Sequence, residues 1–170
     1  MKDKISKAVK YIFIIIVLII LDQVTKDAAV KHLMGSDPYV LIDNVLELLY
    51  VENRGAAFGM MKGMRPFFLL FAPAVSLVLF ALILRMPDSK RFLPLRLAFT
   101  AIIAGAAGNF IDRLRQAYVV DFIYFKPIDF PVFNVADIYV TCAAFLLVFL
   151  VMFYYKDEEL KQVWPEKKNP

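Results

Sequence analysis

Four runs of almost unbroken apolar residues, about 9–29, 66–85, 94–112 and 135–155, dominate the chain. A helix needs about 20 such residues, rising about 1.5 Å each, to cross the hydrocarbon of a bilayer. The pattern therefore predicts four membrane-spanning helices. Pro66 falls in the first turn of the second run, where proline is tolerated, and Pro73 falls inside it, where it should kink the helix. The third run contains Ala104-Gly105-Ala106-Ala107-Gly108, small residues that let a neighbouring helix approach closely. Between the first two runs, "YVLIDNVLELLYVEN" is rich in large apolar and β-branched residues around an Asp43-Asn44 turn signal and reads as a short hairpin. "NRGAAFG" follows as a Gly-bounded turn. The segment Leu114 to Val132, with Pro127 and Pro131, is expected to lie along the membrane surface.

The first run breaks its own rule near its end. After Leu21 come Asp22, Gln23, Thr25, Lys26 and Asp27, and charges in hydrocarbon must reach water or find partners. Four lysines precede the same run, as in a secretory signal peptide. Charged residues stand where a small-residue cleavage site would be, so the run reads as an uncleaved anchor.

Composition agrees with this pattern. The chain is 61% hydrophobic, against about 45–50% for soluble domains. Its 170 residues allow one compact bundle: a single membrane domain over residues 1–156 and a solvated cytoplasmic tail over 157–170. The net charge of +4 is scattered in short flanks, which excludes a nucleic-acid patch and points to topology signals and membrane-lipid contacts. With the N-terminus cytoplasmic, the inner segments 1–10, 85–96 and 156 onward hold twelve of the twenty Lys and Arg residues. Positive charge favours the inside, so both termini are expected to be cytoplasmic. Cys142, the only cysteine, lies in an apolar run and reads as a small hydrophobe.

That orientation brings every unusual polar cluster to the outer face of the membrane. Asp22 and Lys26 stand four apart, acid first, the favourable order for a helical ion pair. An interfacial pair that closes the helix is one reading of them, and Asp112-Arg113 admits the same. Asn53-Arg54 before Gly55 can be a turn with a snorkelling arginine. Asn134 and Asp137 fit the N-cap and third position of the fourth span, which is a complete structural explanation. It leaves Asp121 unexplained, an acid inside "VVDFI" that must be paired, hydrogen-bonded or protonated.

Absences narrow the chemistry. His32 has no second imidazole with which to hold a metal, and the four serines do not lie among the outer clusters beside Lys26. No phosphate-cradling glycine loop is present. Carboxylates and amides remain. Two close aspartates share a proton, so that one activates a water while the other polarises a carbonyl. Three other readings compete: a small proton-coupled transporter, a non-catalytic lipid-binding subunit, and a presenilin-like protease. A transporter would place its acid near mid-membrane and show repeat symmetry, and the presenilin-like GxGD sequence is missing.

The ordered set "LDQVTK", "ENRGAAFG", "GNFIDRL", "VVDFI" and "FNVADIYV" resembles the lipoprotein signal peptidases, the signal peptidase II family, over about residues 8–155. The resemblance implies a bacterial aspartyl endopeptidase of the cytoplasmic membrane that needs no cofactor or metal. It would cut signal peptides from prolipoproteins just before a diacylglyceryl-modified cysteine. Asp121 and Asp137 match the catalytic aspartates. Asp22, Lys26, Asn53, Asn109, Arg113 and Asn134 match supporting or substrate-holding positions, and Arg54 beside Asn53 joins them as a candidate. Asp22 and Lys26 would position Asn134, Arg113 or the substrate without moving protons. The implied fold is an all-α membrane protein, a four-helix bundle with a small extracytoplasmic sheet and a short surface helix. Lipidated signal peptides and globomycin-type inhibitors would be its partners, and it would act as a monomer.

Overall fold

The computed structural model describes residues 2–55 and 65–163, with side chains from Asp3 onward. Beyond Gly55, the turn expected in "NRGAAFG" lies outside the described residues, as does the end of the tail. Among the described residues, four helices are long and apolar enough to cross a membrane. They are α1 (Lys2–Leu33), α2 (Arg65–Arg85), α3 (Leu93–Gln116) and α4 (Val135–Phe149), the last extended by a π-helical turn over Leu150–Tyr154. α2 stays helical through Pro73.

α3 is the hub. Almost half of its apolar window is buried (44%), against 11–17% for the other three spans, and it packs on α1, α2 and α4. The small residues of its middle make this possible. A Cβ on Gly105 would lie 2.5 Å from the Ala136 carbonyl oxygen, and one on Gly108 would lie 2.3 Å from Asp22 Oδ2. The outward-facing positions are apolar instead: Leu70, Leu77, Phe145 and Phe153 are all more than two-thirds exposed, which suits a surface solvated by lipid. The main core gathers Tyr11, Ile83, Phe92, Leu95, Phe99, Leu150 and Tyr155 toward the end of the bundle that carries both termini.

The opposite end carries a three-stranded antiparallel sheet, β1 (Tyr39–Ile42), β2 (Leu46–Asn53) and β3 (Val119–Phe125), in that spatial order. The first two form the expected hairpin, with Asn44 in a left-handed conformation in its turn. The third strand lies in the stretch expected to run along the surface. Its register sets Val51 opposite Asp121 and Asn53 opposite Val119, so Asn53 and Asp121 are diagonal neighbours on one face. Short surface helix reduces here to the 3-10 turn Lys126–Ile128. Phe133 then exchanges two backbone hydrogen bonds with Ile123, leading the chain into α4.

The tail differs from expectation. Asp157–Val163 forms a helix, α5, with Val163 buried and Leu160 packed on the core. Arg91, in the α2–α3 connection, pairs with Glu159 at 2.9 and 3.0 Å and stacks 3.9 Å over the Tyr154 ring. Leu160 and Val163, three apart, give a mostly charged segment one apolar side, enough to dock it rather than leave it solvated.

Candidate active site

Asp121 and Asp137 reach the site from different elements. β3 carries Asp121, whose side chain is closed off on both sides by sheet and bundle and is 1% exposed. Asp137 occupies the third position of α4. There it completes a capping box with Asn134: the Asn134 side chain accepts from Asp137 N at 3.0 Å, and Asp137 Oδ2 accepts from Asn134 N at 3.2 Å. The cap anticipated from sequence is thus present, and it does more than end a helix. Asn134 Nδ2 donates to Asp121 Oδ1 at 2.6 Å. One asparagine therefore touches both acids. Asn53 Nδ2 donates to Asp121 Oδ2 at 2.8 Å across the sheet diagonal.

A second asparagine, on α3, ties the acids to the charges of α1. Asn109 Nδ2 donates to Asp137 Oδ1 at 2.8 Å, while Asn109 Oδ1 accepts from Asn134 Nδ2 at 3.2 Å and from Lys26 Nζ at 2.9 Å. Lys26 also pairs with Asp22 at 3.0 Å and Asp112 at 2.9 Å, all three being almost fully buried. Asp22 Oδ1 accepts from Ala136 N at 2.9 Å, one of the free N–H groups in the first turn of α4. The charges that interrupt the first span are therefore pinned in a polar interior, where Asp22 positions the start of α4 and Lys26 positions Asn109.

Burial pushes the Asp121 carboxyl up to about 7, helped by the negative charge of Asp137 and opposed by the hydrogen bonds from Asn53 and Asn134 and by Lys26. A carboxylic acid that keeps its proton near neutrality beside a second, hydrogen-bonded carboxylate is the arrangement needed to polarise a carbonyl and activate a water together.

The remaining candidates divide. Arg113 lies behind the aspartates: its guanidinium donates to Gly55 O at 2.9 Å, weakly to Asn109 O, and sits 4.4 Å over the Phe68 ring. It holds the chain just after Asn53. Arg54 is mostly exposed and pairs with Glu52 at 2.8 Å, so no contact joins it to the acids. Two participants were noted in the sequence but not assigned to the site. Gln23 Nε2 donates to Asp112 at 2.9 Å and to Gly108 O at 3.3 Å. Asp112 accepts from Gln23, from Lys26 and from Val120 N at 3.3 Å, one residue before Asp121. Gly108 and Asp112 stand four apart on the face that meets Asp22 and Lys26, a helical spacing that was available as a signal. A cavity of about 250 Å³ borders this side of the network, with Gln23, Lys26, Asp112 and Val120 in its wall.

Four helices long and apolar enough to cross a membrane, with two aspartates joined through asparagines at one end, fit the class of membrane aspartic peptidases. The family described as Signal peptidase (SPase) II matches residues 14–153, and the chain belongs to it. It is 42% identical over 143 residues to the lipoprotein signal peptidase of Caldanaerobacter subterraneus subsp. tengcongensis, covering 84% of this chain and 95% of that one. To the lipoprotein signal peptidase of Clostridium tetani it is 40% identical, covering 83% and 91%. Its fold is similar to a bacterial membrane enzyme structure obtained by the in meso method at 1.9 Å resolution, with TM-score 0.75, 31% identity, and 86% and 94% of the two chains covered.

Proposed function

We propose that this peptidase removes the signal peptide from diacylglyceryl-modified prolipoproteins, cutting just before the lipidated cysteine, with Asp121 and Asp137 as its catalytic pair. The observation that carries the reading is the shared contact of both acids with Asn134, together with an Asp121 carboxyl held near 7. Asp121 begins protonated and donates a hydrogen bond to the scissile carbonyl oxygen. Asp137, oriented by Asn109 Nδ2 and by Asn134 N, accepts a proton from a water. That water's oxygen bonds to the carbonyl carbon as the Asp121 proton passes to the carbonyl oxygen, giving a neutral tetrahedral diol. Collapse breaks the C–N bond: the leaving nitrogen takes the proton from Asp137, and one diol hydroxyl returns its proton to Asp121. The products are a carboxylic acid and a free amine, and the pair regains its starting state.

Asn53, Asn109, Asn134, Asp22 and Lys26 are positioning residues in this scheme. Arg113 holds the edge of the substrate cleft through Gly55, and Arg54 contributes at most to the outer rim. The excess of Lys and Arg on the end carrying the termini supports a cytoplasmic location for that end, with the aspartates at the extracytoplasmic face of the bacterial cytoplasmic membrane. Globomycin-type peptides would compete for the same cleft, and one chain supplies every group used.

The test is cleavage of a diacylglyceryl-modified prolipoprotein by the purified protein in detergent, followed as a gel shift, beside Asp121→Asn and Asp137→Asn. Loss of an acid–base group removes about 10²–10⁴ in rate, and members of one unit fall together. Both variants should therefore lose about a thousandfold while unfolding cooperatively like the parent. Activity retained in either folded variant would overturn the pair.

A further inference from the structure

The end of the bundle opposite the aspartates holds a second polar cavity that no step of peptide cleavage uses. It measures about 130 Å³ and is lined by Asp3, Ser6, Lys7, Lys10, Tyr11 and Asp88. Lys7 and Tyr11 are buried, at 8% and 1% exposure. Lys7 Nζ donates to Met86 O at 2.5 Å, which uses one of its three N–H groups. The Tyr11 hydroxyl is buried and has no hydrogen-bond partner among the described residues, although native proteins rarely leave such a group unpaired. Arg96 stands beside them, with its Nη atoms given to the carbonyls of Pro87 and Ser89 and, at 3.4 Å, to Asp88, while its buried Nε has no partner among the described residues. The α2–α3 connection is therefore already satisfied by Arg96, and the hydroxyl and remaining ammonium hydrogens of the cavity are left over.

Position and charge narrow what would use them. Tyr11 opens the apolar run of the first span, so the cavity stands at the level where that span enters the headgroup layer, the usual depth of interfacial tyrosines. Basic pockets between helices at this depth take lipid headgroups. The wall, however, has two signs. Ser6, Lys7, Lys10 and Tyr11 supply donors, while Asp3 and Asp88 supply carboxylates. A free phosphate would gain the first set and meet repulsion from the second. A ligand carrying a phosphate and an ammonium a few bonds apart gains both.

We propose that this cavity binds the headgroup of a zwitterionic aminophospholipid in the leaflet opposite the aspartates. Its phosphate would lie on Ser6, Lys7, Lys10 and Tyr11, and its ammonium on Asp3 and Asp88. Tyr11→Phe is the sharp variant, because the hydroxyl it removes bonds to nothing else among the described residues. The delipidated full chain in detergent is titrated with phosphatidylethanolamine, phosphatidylglycerol or inorganic phosphate, read by native mass spectrometry and thermal unfolding. One phosphatidylethanolamine should be retained with a rise in Tm, phosphatidylglycerol should bind about tenfold more weakly, and phosphate should do nothing. Without lipid, Tyr11→Phe should match or exceed the parent Tm; with lipid, it should bind about tenfold more weakly, the usual scale of one charge-assisted hydrogen bond. Asp88→Asn should narrow the preference between the two lipids. Equal retention of both lipids, a Tm rise from phosphate alone, or parental retention by Tyr11→Phe, which would leave the cavity to water, each overturns the proposal.

Discussion

Asp121 shows how much one side chain's surroundings decide. The same carboxyl in an unfolded chain titrates near 3.9, whereas burial and the Asp137 charge hold it at about 7 in the fold. The folded state therefore binds this proton more tightly than the unfolded one. Its contribution to stability is full below about pH 4 and is lost progressively as the pH rises to about 7, after which it is flat. The difference in Tm between parent and Asp121→Asn, followed across that window, should move against the parent as pH rises. A difference independent of pH would place Asp121 at an ordinary carboxylate value. Cleavage by the parent should also decline on the alkaline side with an apparent midpoint near 7 that belongs to the pair. Gly108 makes a second case at this scale. A Cβ there would stand 2.3 Å from Asp22 Oδ2, a side chain already fixed by Lys26 and by Ala136 N. Gly108→Ala should cost about 1–3 kcal/mol, the usual scale of overpacking, and lower cleavage about tenfold or more by displacing the start of α4. An alanine variant with parental Tm and rate would mean that the carboxylate moves aside freely.

Elements, rather than residues, explain which parts were legible in the sequence. The four spans could be read because hydrophobicity over about 20 residues is a local property. Asp121 stood out because it is an acid where local context supplies no cheap solvation, whereas Asp137 had a local explanation as part of a helix cap and was singled out by its match to the family's motif. β3 could not be read the same way. "VVDFIYF" has no clean alternation, and its strand depends on pairing with β2, some 70 residues earlier in the chain, while two nearby prolines suggested irregular surface chain. Asn109 and Asp112 were harder to assign because a helical face has a role only once its neighbour is known. Asp112 illustrates the point, since it joins α3 to α1 through Lys26 and Gln23 and to β3 through Val120 N. Asp112→Asn keeps the shape and removes the charge, so among the described residues Lys26 keeps Asp22 as its ion-pair partner. The variant should lose stability, but less than the about 3–5 kcal/mol that follows when a buried partner is left uncompensated, because Asp22 still pairs with Lys26. Its kcat should fall while KM stays near the parent value, because the group touches β3 and Lys26 rather than the cleft. A change confined to KM would instead place Asp112 against substrate.

At the scale of the whole molecule the two ends of the bundle have different work. The end carrying the aspartates concentrates buried polar and charged groups and gives up apolar packing to do so; Asp22, Lys26, Asp112, Asp121 and Asn134 are all buried there. The end carrying the termini holds most of the dry core, from Tyr11 and Ile83 to Phe92 and Tyr155, and α5 closes it through Val163 and the Arg91–Glu159 pair. Charge-rich composition concealed this docking, because only two apolar side chains of α5 carry it. If stability is drawn from one end and chemistry from the other, the two should separate experimentally. Removing residues 156–170 exposes the surface that Leu160 and Val163 cover, and a buried Val or Leu contributes about 1.5–3 kcal/mol. The truncated protein should therefore unfold at least about 3 °C lower. Assayed well below that temperature, its rate of prolipoprotein cleavage should equal the parent's, since no hydrogen bond of the aspartate network reaches the tail among the described residues. A truncation that lowers the rate without moving Tm would show that the ends are coupled through α3, the span that packs most extensively on the other three.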